Sequence, residues 1–337
     1  MKKGVTIKDI AEKLNMSVST VSKALNDDPS ISQLTKERVK KQAADWNYIP
    51  NEAARNFKLN KTFTLGLVIP NMMDQFYGLA INGAEKVAGE EKYHVIISQS
   101  QEDPAREENI IDLMKRNRVD GLIVAMTKDR EDMQPFKTLE NMGIPTVFMS
   151  RKPKDDAFDY VTADNEGGAF KATEYLVKKG HTNIGHIMGP ESMAVSHARL
   201  AGYKRALEQY HIPFHAGLVK PVNLTPESTF EAMRHFMGME HPPTAFFTFK
   251  NYVSLDAMEY LKKNHPDKLA SIDFAGFGNL PLFQYLDHKP VASIDENSYE
   301  MGERAARLLF QIIKGQQPLG MREVQHVEIS CKLLEHV

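Results

Sequence analysis

From residue 63 onward the chain alternates short apolar runs with longer amphipathic stretches, and that alternation leaves few folds open. The runs are TLGLVI (64–69), YHVIIS (93–98), GLIVA (121–125), PTVFM (145–149), IGHIM (184–188), TAFFT (244–248), IDFAG (272–276) and PVASI (290–294). Helical patterns fall between them, over residues 77–91, 105–118, 166–179 and 197–210. Strands and helices alternating on this scale form parallel sheets covered by helices on both faces. So long a series divides into two α/β lobes rather than one sheet. Ligands of such folds bind beyond the carboxyl ends of the strands, so a cleft between the lobes is the expected site.

The first sixty residues follow another rule. In VTIKDIAEKLNMSVSTVSKALN (5–26), Ile7, Ile10, Ala11 and Leu14 give one apolar helix face. After the polar break Asn15-Met16-Ser17, Val21, Ala24 and Leu25 give a second, with Ser17 as its N-cap. Val18, Ser19, Thr20, Ser22 and Lys23 then lie on the outward, early part of the second helix. Short polar side chains there allow close approach to a duplex, as a helix-turn-helix recognition helix requires. The alternative is a small solvated helical hairpin. A third helix opens at Ser32 to Thr35 and carries Val39, Ala43 and Trp46 on one face. Tyr48 and Pro50 end it, and Asn51 can cap a short helix over 51–58 that cannot stand alone in water.

Composition narrows the classes. A chain of 337 residues is too long for one ordinary core. No apolar run nears the roughly 18 residues of a membrane span, and MKKGVTIKDI has no secretory h-region, so a cytoplasmic protein is expected. A single cysteine, Cys331, excludes an internal disulfide, and the 12 histidines have no ligand spacing, so no metal or cofactor is expected. Formal charge is −2 overall, yet residues 1–61 hold 12 Lys/Arg against 7 Asp/Glu, a net of +5 that leaves −7 for the rest. A basic head on an acidic body suits a polyanion contact at one end.

The motifs themselves carry a resemblance. TIKDIAEKLNMSVSTVSKALN, followed by TKERVKKQAADWNYIPNEAARNFK, closely resembles the DNA-binding headpiece of the lactose/galactose repressor (LacI) family, and the likeness runs through nearly the whole chain. It implies a small all-α helix-turn-helix headpiece (1–50), a hinge helix and linker (51–62), and a two-lobed body (63–337) like periplasmic sugar-binding proteins. The first lobe would take about 63–162 and 293–321, the second about 163–292 and 322–337, with chain crossings near 163, 292 and 322. It implies a homodimer on a near-palindromic, double-stranded operator, with no enzyme activity. Val18, Ser19 and Lys23 match base-reading positions, while Thr20, Ser22, Asn26, Ser32 and Thr35 match phosphate contacts. Thr6, Ser17 and Tyr48 complete the headpiece set. In the hinge, Asn51, Ala54 and Arg55 match, but the minor-groove wedge, usually Leu, is Phe57 here; the alternative is a plain interdomain linker.

For the cleft, the resemblance implies effector contacts at Asp74, Phe76 and Tyr77 after the first body strand, and at Ser98 and Gln99 after the second. Arg151, Asp164, Arg199, Asn223, Lys250, Asn251 and Gly278 follow further on. Each has a plainer alternative: a helix cap for Asp164, core for Phe76, a surface ion pair for Arg199. Two departures stand out. Phe249-Lys250-Asn251 and Gly276-Phe277-Gly278 stand where the family commonly has an Asp. Losing carboxylates beside Arg151, Arg199 and Lys250 would turn the cleft positive, so the expected effector is anionic, a sugar acid or sugar phosphate. Equally open is that Lys250 points away and tight small-molecule binding is lost. Control by a protein partner docking at Tyr299 and Arg307, and a small-molecule binding protein without DNA, are the remaining alternatives. An enzyme is disfavoured, because the chain has no phosphate loop, nucleophile elbow or metal cluster.

Overall fold

The computed structural model describes residues 5–48, 61–128, 130–315 and 322–336. Two compact units result, one ending at Thr62 and one starting at Phe63.

Among its described residues the first unit has three helices, α1 (Ile7–Leu14), α2 (Val18–Leu25) and α3 (Gln33–Asp45), around Ile10, Ala11, Val21, Ala24, Val39 and Ala43. Trp46 and Tyr48 pack partly buried against this core. The residues picked out by helical spacing are therefore the ones that meet.

The second unit holds two six-stranded sheets. In the first, β1 (Thr64–Ile69), β2 (His94–Gln99), β3 (Gly121–Val124), β4 (Thr146–Met149), β5 (Asp159–Ala163) and β11 (His326–Ile329) lie in the order β11-β5-β4-β3-β1-β2, all parallel. The second contains β6 (Ile184–Met188), β7 (Val219–Pro221), β8 (Ala245–Thr248), β9 (Asp273–Phe277), β10 (Ala292–Asp295) and β12 (Lys332–Glu335). Its order is β12-β10-β9-β8-β6-β7, with only the β10–β12 pair antiparallel. The inner strands of each sheet are buried on both faces, so most of them read as unbroken apolar runs, while the edge strands β2, β7, β11 and β12 stay partly exposed. On β1, Leu67 and Ile69 join one core and Val68 the opposite one.

Helices α4 (Gln75–Glu90), α5 (Pro104–Arg116), α6 (Gln134–Asn141) and α11 (Ser298–Lys314) belong to the first lobe. Helices α7 (Asn165–Lys178), α8 (Ala194–Gln209), α9 (Pro226–Met237) and α10 (Asn251–Asn264) belong to the second. The pairs α4–α11 and α7–α8 pack closely at glycines. A Cβ on Gly302 would stand 1.9 Å from the Ala80 carbonyl, and one on Gly202 would stand 2.1 Å from the Glu166 carbonyl.

The lobes exchange chain three times. The first crossing follows β5 at Ala163, as expected. The others lie later than 292 and 322: β10 stays in the second sheet, so the chain crosses between Asp295 and Ser298, and β11 returns to the first sheet, so the last crossing follows Ile329. Cys331 lies buried in that last connection, where its carbonyl accepts from Lys171 Nζ at 2.7 Å.

Candidate functional site

The headpiece geometry starts with its caps. Thr6 caps α1: its hydroxyl accepts from the Asp9 amide, while Asp9 accepts from the Thr6 amide at 2.7 Å. Asn15 then closes the helix in the left-handed region, φ 51°, and makes the tight turn. Ser17 caps α2 by accepting from the Thr20 amide at 3.0 Å, and Ser32 caps α3 by accepting from Thr35. These caps leave Val18, Ser19 and Lys23 exposed at one end and along one side of α2. Val18 is 41% exposed, an apolar side chain held in solvent where a partner would cover it. Thr20 and Ser22 are half-buried, and the Asn26 amide is turned back onto the Ser22 carbonyl at 2.8 Å. Asn51, Ala54, Arg55 and Phe57 lie outside the described residues.

In the second unit a cavity of about 660 Å³ opens beyond the carboxyl ends of both sheets. In each sheet the strand order reverses there, between β1 and β3 and between β6 and β8, which splays the loops and leaves a crevice. Asp74, Phe76, Tyr77, Arg151, Arg199, Asn223, Lys250, Asn251 and Gly278 line it. Phe76 and Tyr77 meet edge-to-face, centroids 5.0 Å apart, and burial pushes the Tyr77 hydroxyl up to about 12.

Three expected residues do other work. Ser98 and Gln99 are not part of the cavity wall. β2 is the outermost strand and runs through Gln99, whose side chain accepts from the Met72 amide at 2.9 Å. The chain reaches the cavity only after two left-handed residues, Gln101 and Glu102. Asp164 caps α7, accepting from the Gly167 amide at 2.7 Å, and its neighbour Asn165 lines the cavity instead.

Nor is the cavity positive. Among the described residues its wall carries four cations, Lys128, Arg151, Arg199 and Lys250, and four carboxylates, Asp74, Glu102, Asp295 and Glu296. Arg151 makes a two-pronged bond to Glu102, at 2.6 and 2.9 Å, and also donates to the Met126 carbonyl. Burial alone would raise the Glu102 carboxyl; Arg151 outweighs it and holds it below the ordinary range. Arg199, 5% exposed, donates to Glu296 at 2.7 Å, to Asn165 at 3.0 Å and to the Phe249 carbonyl. Its guanidinium also stacks against Phe277 at 3.5 Å and Phe249 at 4.6 Å. Lys250 stands 3.4 Å from Asp74. Glu102, Lys128, Asp295 and Glu296 were not singled out from the sequence. Asp295-Glu296 directly follows the run PVASI, so the strand-end rule could have found it.

Elsewhere, Arg307 pairs with Glu90 at 3.3 Å, and Tyr299, 39% exposed, lies under Lys86. Among the described residues no cluster of three or more His, Cys, Asp or Glu could hold a metal, and no helix is long and apolar enough to cross a membrane.

Comparison with known proteins matches both units. Residues 6–51 match the model for bacterial regulatory proteins of the lacI family, and residues 62–337 that for periplasmic binding proteins and the sugar binding domain of the LacI family. This chain belongs to the LacI family. The HTH-type transcriptional repressor CytR of Escherichia coli K12 is 32% identical over 314 residues, covering 92% of this chain and 90% of that protein. The Lac repressor bound to ONPG in its repressed state superposes with a TM-score of 0.82 at 22% identity, covering 99% of each chain. The CelR–cellobiose complex gives 0.70 at 23% identity, covering 98% of each. The chain is thus a DNA-binding transcriptional regulator of the LacI family and not an enzyme.

Proposed function

We propose that the protein is a dimeric, cytoplasmic repressor that reads a near-palindromic operator with α2 and the exposed Val18, Ser19 and Lys23. Its effector is a neutral, polyhydroxylated small molecule in the interlobe cavity, not a sugar acid or sugar phosphate. One observation carries the effector reading: the cavity's cations are matched by carboxylates, and three are already paired. An added anion would face Glu102, Glu296 and Asp295 with three of the four cations already engaged and only Lys128 left to offset them. Phe76 and Tyr252 put aromatic rings in the wall, and carboxylates accept from hydroxyls, the two needs of a sugar ring. The CelR–cellobiose complex is a structural neighbour consistent with that chemistry.

Thermal shift of the full chain against D-ribose and cellobiose, beside D-gluconate and glucose 6-phosphate, separates the readings. Ligand stabilisation grows as the logarithm of concentration over Kd, so millimolar binding registers. Shifts from the neutral sugars alone support the proposal; shifts from the anions alone overturn it. For DNA, Lys23→Ala should reduce discrimination between an operator and a scrambled duplex, and unchanged discrimination would remove Lys23 from base reading.

A further inference from the structure

Of the charged pairs in the cavity wall, one joins the two lobes across its mouth. Asp74 ends the loop after β1 and caps α4, in the first lobe; Lys250 follows β8 and precedes α10, in the second. The Asp74 carboxylate is divided. Oδ1 accepts from the Phe76 amide at 3.1 Å, and Oδ2 faces Lys250 Nζ at 3.4 Å. Beside it, Gln75 Nε2 donates to the Asn279 carbonyl at 2.7 Å, again from first lobe to second. The Lys250 ammonium also lies 5.5 Å over the Tyr252 ring. By contrast, Arg151–Glu102 joins strand ends of one lobe.

We propose that Lys250 is a gate and specificity residue: its ammonium latches onto Asp74 across the mouth, holding the empty body closed, and a ligand enters only by replacing that contact. The inference rests on the reading of this cavity as the effector site. It also states which ligands can open the latch. A hydroxyl accepts from an ammonium and donates to a carboxylate, so adjacent hydroxyls take up both partners. An anion satisfies Lys250 but stands against Asp74, and a cation does the reverse.

Hydrogen exchange of the full-length, ligand-free protein tests the latch directly. A half-buried ion pair of this kind closes the mouth against an opening rate that rises about two- to five-fold on its loss. Lys250→Met should therefore speed exchange by that factor in segments 71–79 and 278–283, with β6 and β9 unchanged. Lys250→Arg should stay near the wild type, and 1 M NaCl should reproduce part of the effect in the unaltered chain. Exchange at the mouth that is the same in Lys250→Met as in the wild type, or indifferent to salt, overturns the latch. Because the protein is empty throughout, a sugar panel without hits counts against the effector reading and leaves this result standing.

Discussion

Replacing Arg199 by Met is the sharpest test of how the cavity is built. The apolar stem keeps the space between Phe277 and Phe249, so the change removes charge and hydrogen bonds rather than bulk. It strands Glu296, whose partner at 2.7 Å is gone, in a largely buried position. Breaking a buried pair from one side costs about 3–5 kcal/mol. Unfolding entropy near 2.1 cal/mol/K per residue, over a body from Phe63 to Val337, converts that into a fall in Tm of about 5–9 °C. The sign with pH is also fixed. Burial already raises the Glu296 carboxyl, with Arg199 opposing, and without Arg199 it rises further. A carboxyl raised in the folded state contributes stability below its unfolded value and loses it as pH rises through the folded value. The deficit of Arg199→Met should therefore be smaller at pH 5 than at pH 8. Adding Glu296→Leu removes the stranded charge and should recover most of the loss at pH 8. Calorimetry of the body transition reads all three. A deficit under about 1 kcal/mol, or one independent of pH, would refute the buried pair.

Three further outcomes follow from the same geometry. His186, fully buried and stacked on Phe247 at 4.6 Å, is pushed down to about 4 by burial. The unfolded chain thus binds the extra proton below its ordinary 6.5, and acidification from 6.5 to about 4 should remove up to about 3 kcal/mol; His186→Phe should flatten stability across that window. Gly302→Ala drives a methyl into the Ala80 carbonyl and should cost about 1–3 kcal/mol in denaturant unfolding, since backbone cannot yield as a side chain can. Thr6→Ala removes the α1 capping box and should cost the headpiece about 1 kcal/mol, read by the fluorescence of Trp46, the chain's single tryptophan, with the body transition unmoved.

The elements most legible in the sequence were those whose burial is apolar throughout. All eight apolar runs became strands within about two residues; seven are inner strands, where burial on both faces leaves little polar to disguise them, and the eighth, β2, is a half-exposed edge strand that is apolar nonetheless. The strands that escaped are polar for identifiable reasons. β5 begins at Asp159, a fully buried carboxylate made tolerable by Arg322, which bonds it at 2.8 Å from 163 residues away. β7 reads only VKP, β11 reads HVEI and β12 reads KLLE, all three at sheet edges where one side stays wet. With β11 in the first sheet, the last crossing lies near 330 rather than at the 322 that the resemblance implied. Hydrophobic period shows only what is buried without help; where an ion pair or an edge substitutes for apolar contact, the pattern is lost.

The same limit governed the charge of the cavity. Phe249-Lys250-Asn251 and Gly276-Phe277-Gly278 read locally as lost carboxylates, and neither segment contains one. The carboxylates that neutralise the site come from elsewhere: Glu102 is 49 residues from Arg151, and Glu296 is 97 residues from Arg199. Parallel α/β topology produces such pairs, because it gathers the ends of strands far apart in the chain onto one rim. Residue type at a strand end is therefore legible, while net charge at the rim is a property of the whole set of loops. Lys250 illustrates the consequence. Taken with its neighbours it argues for an anionic ligand; taken with Asp74, brought to 3.4 Å from 176 residues away, it argues for a contact that an anion cannot replace.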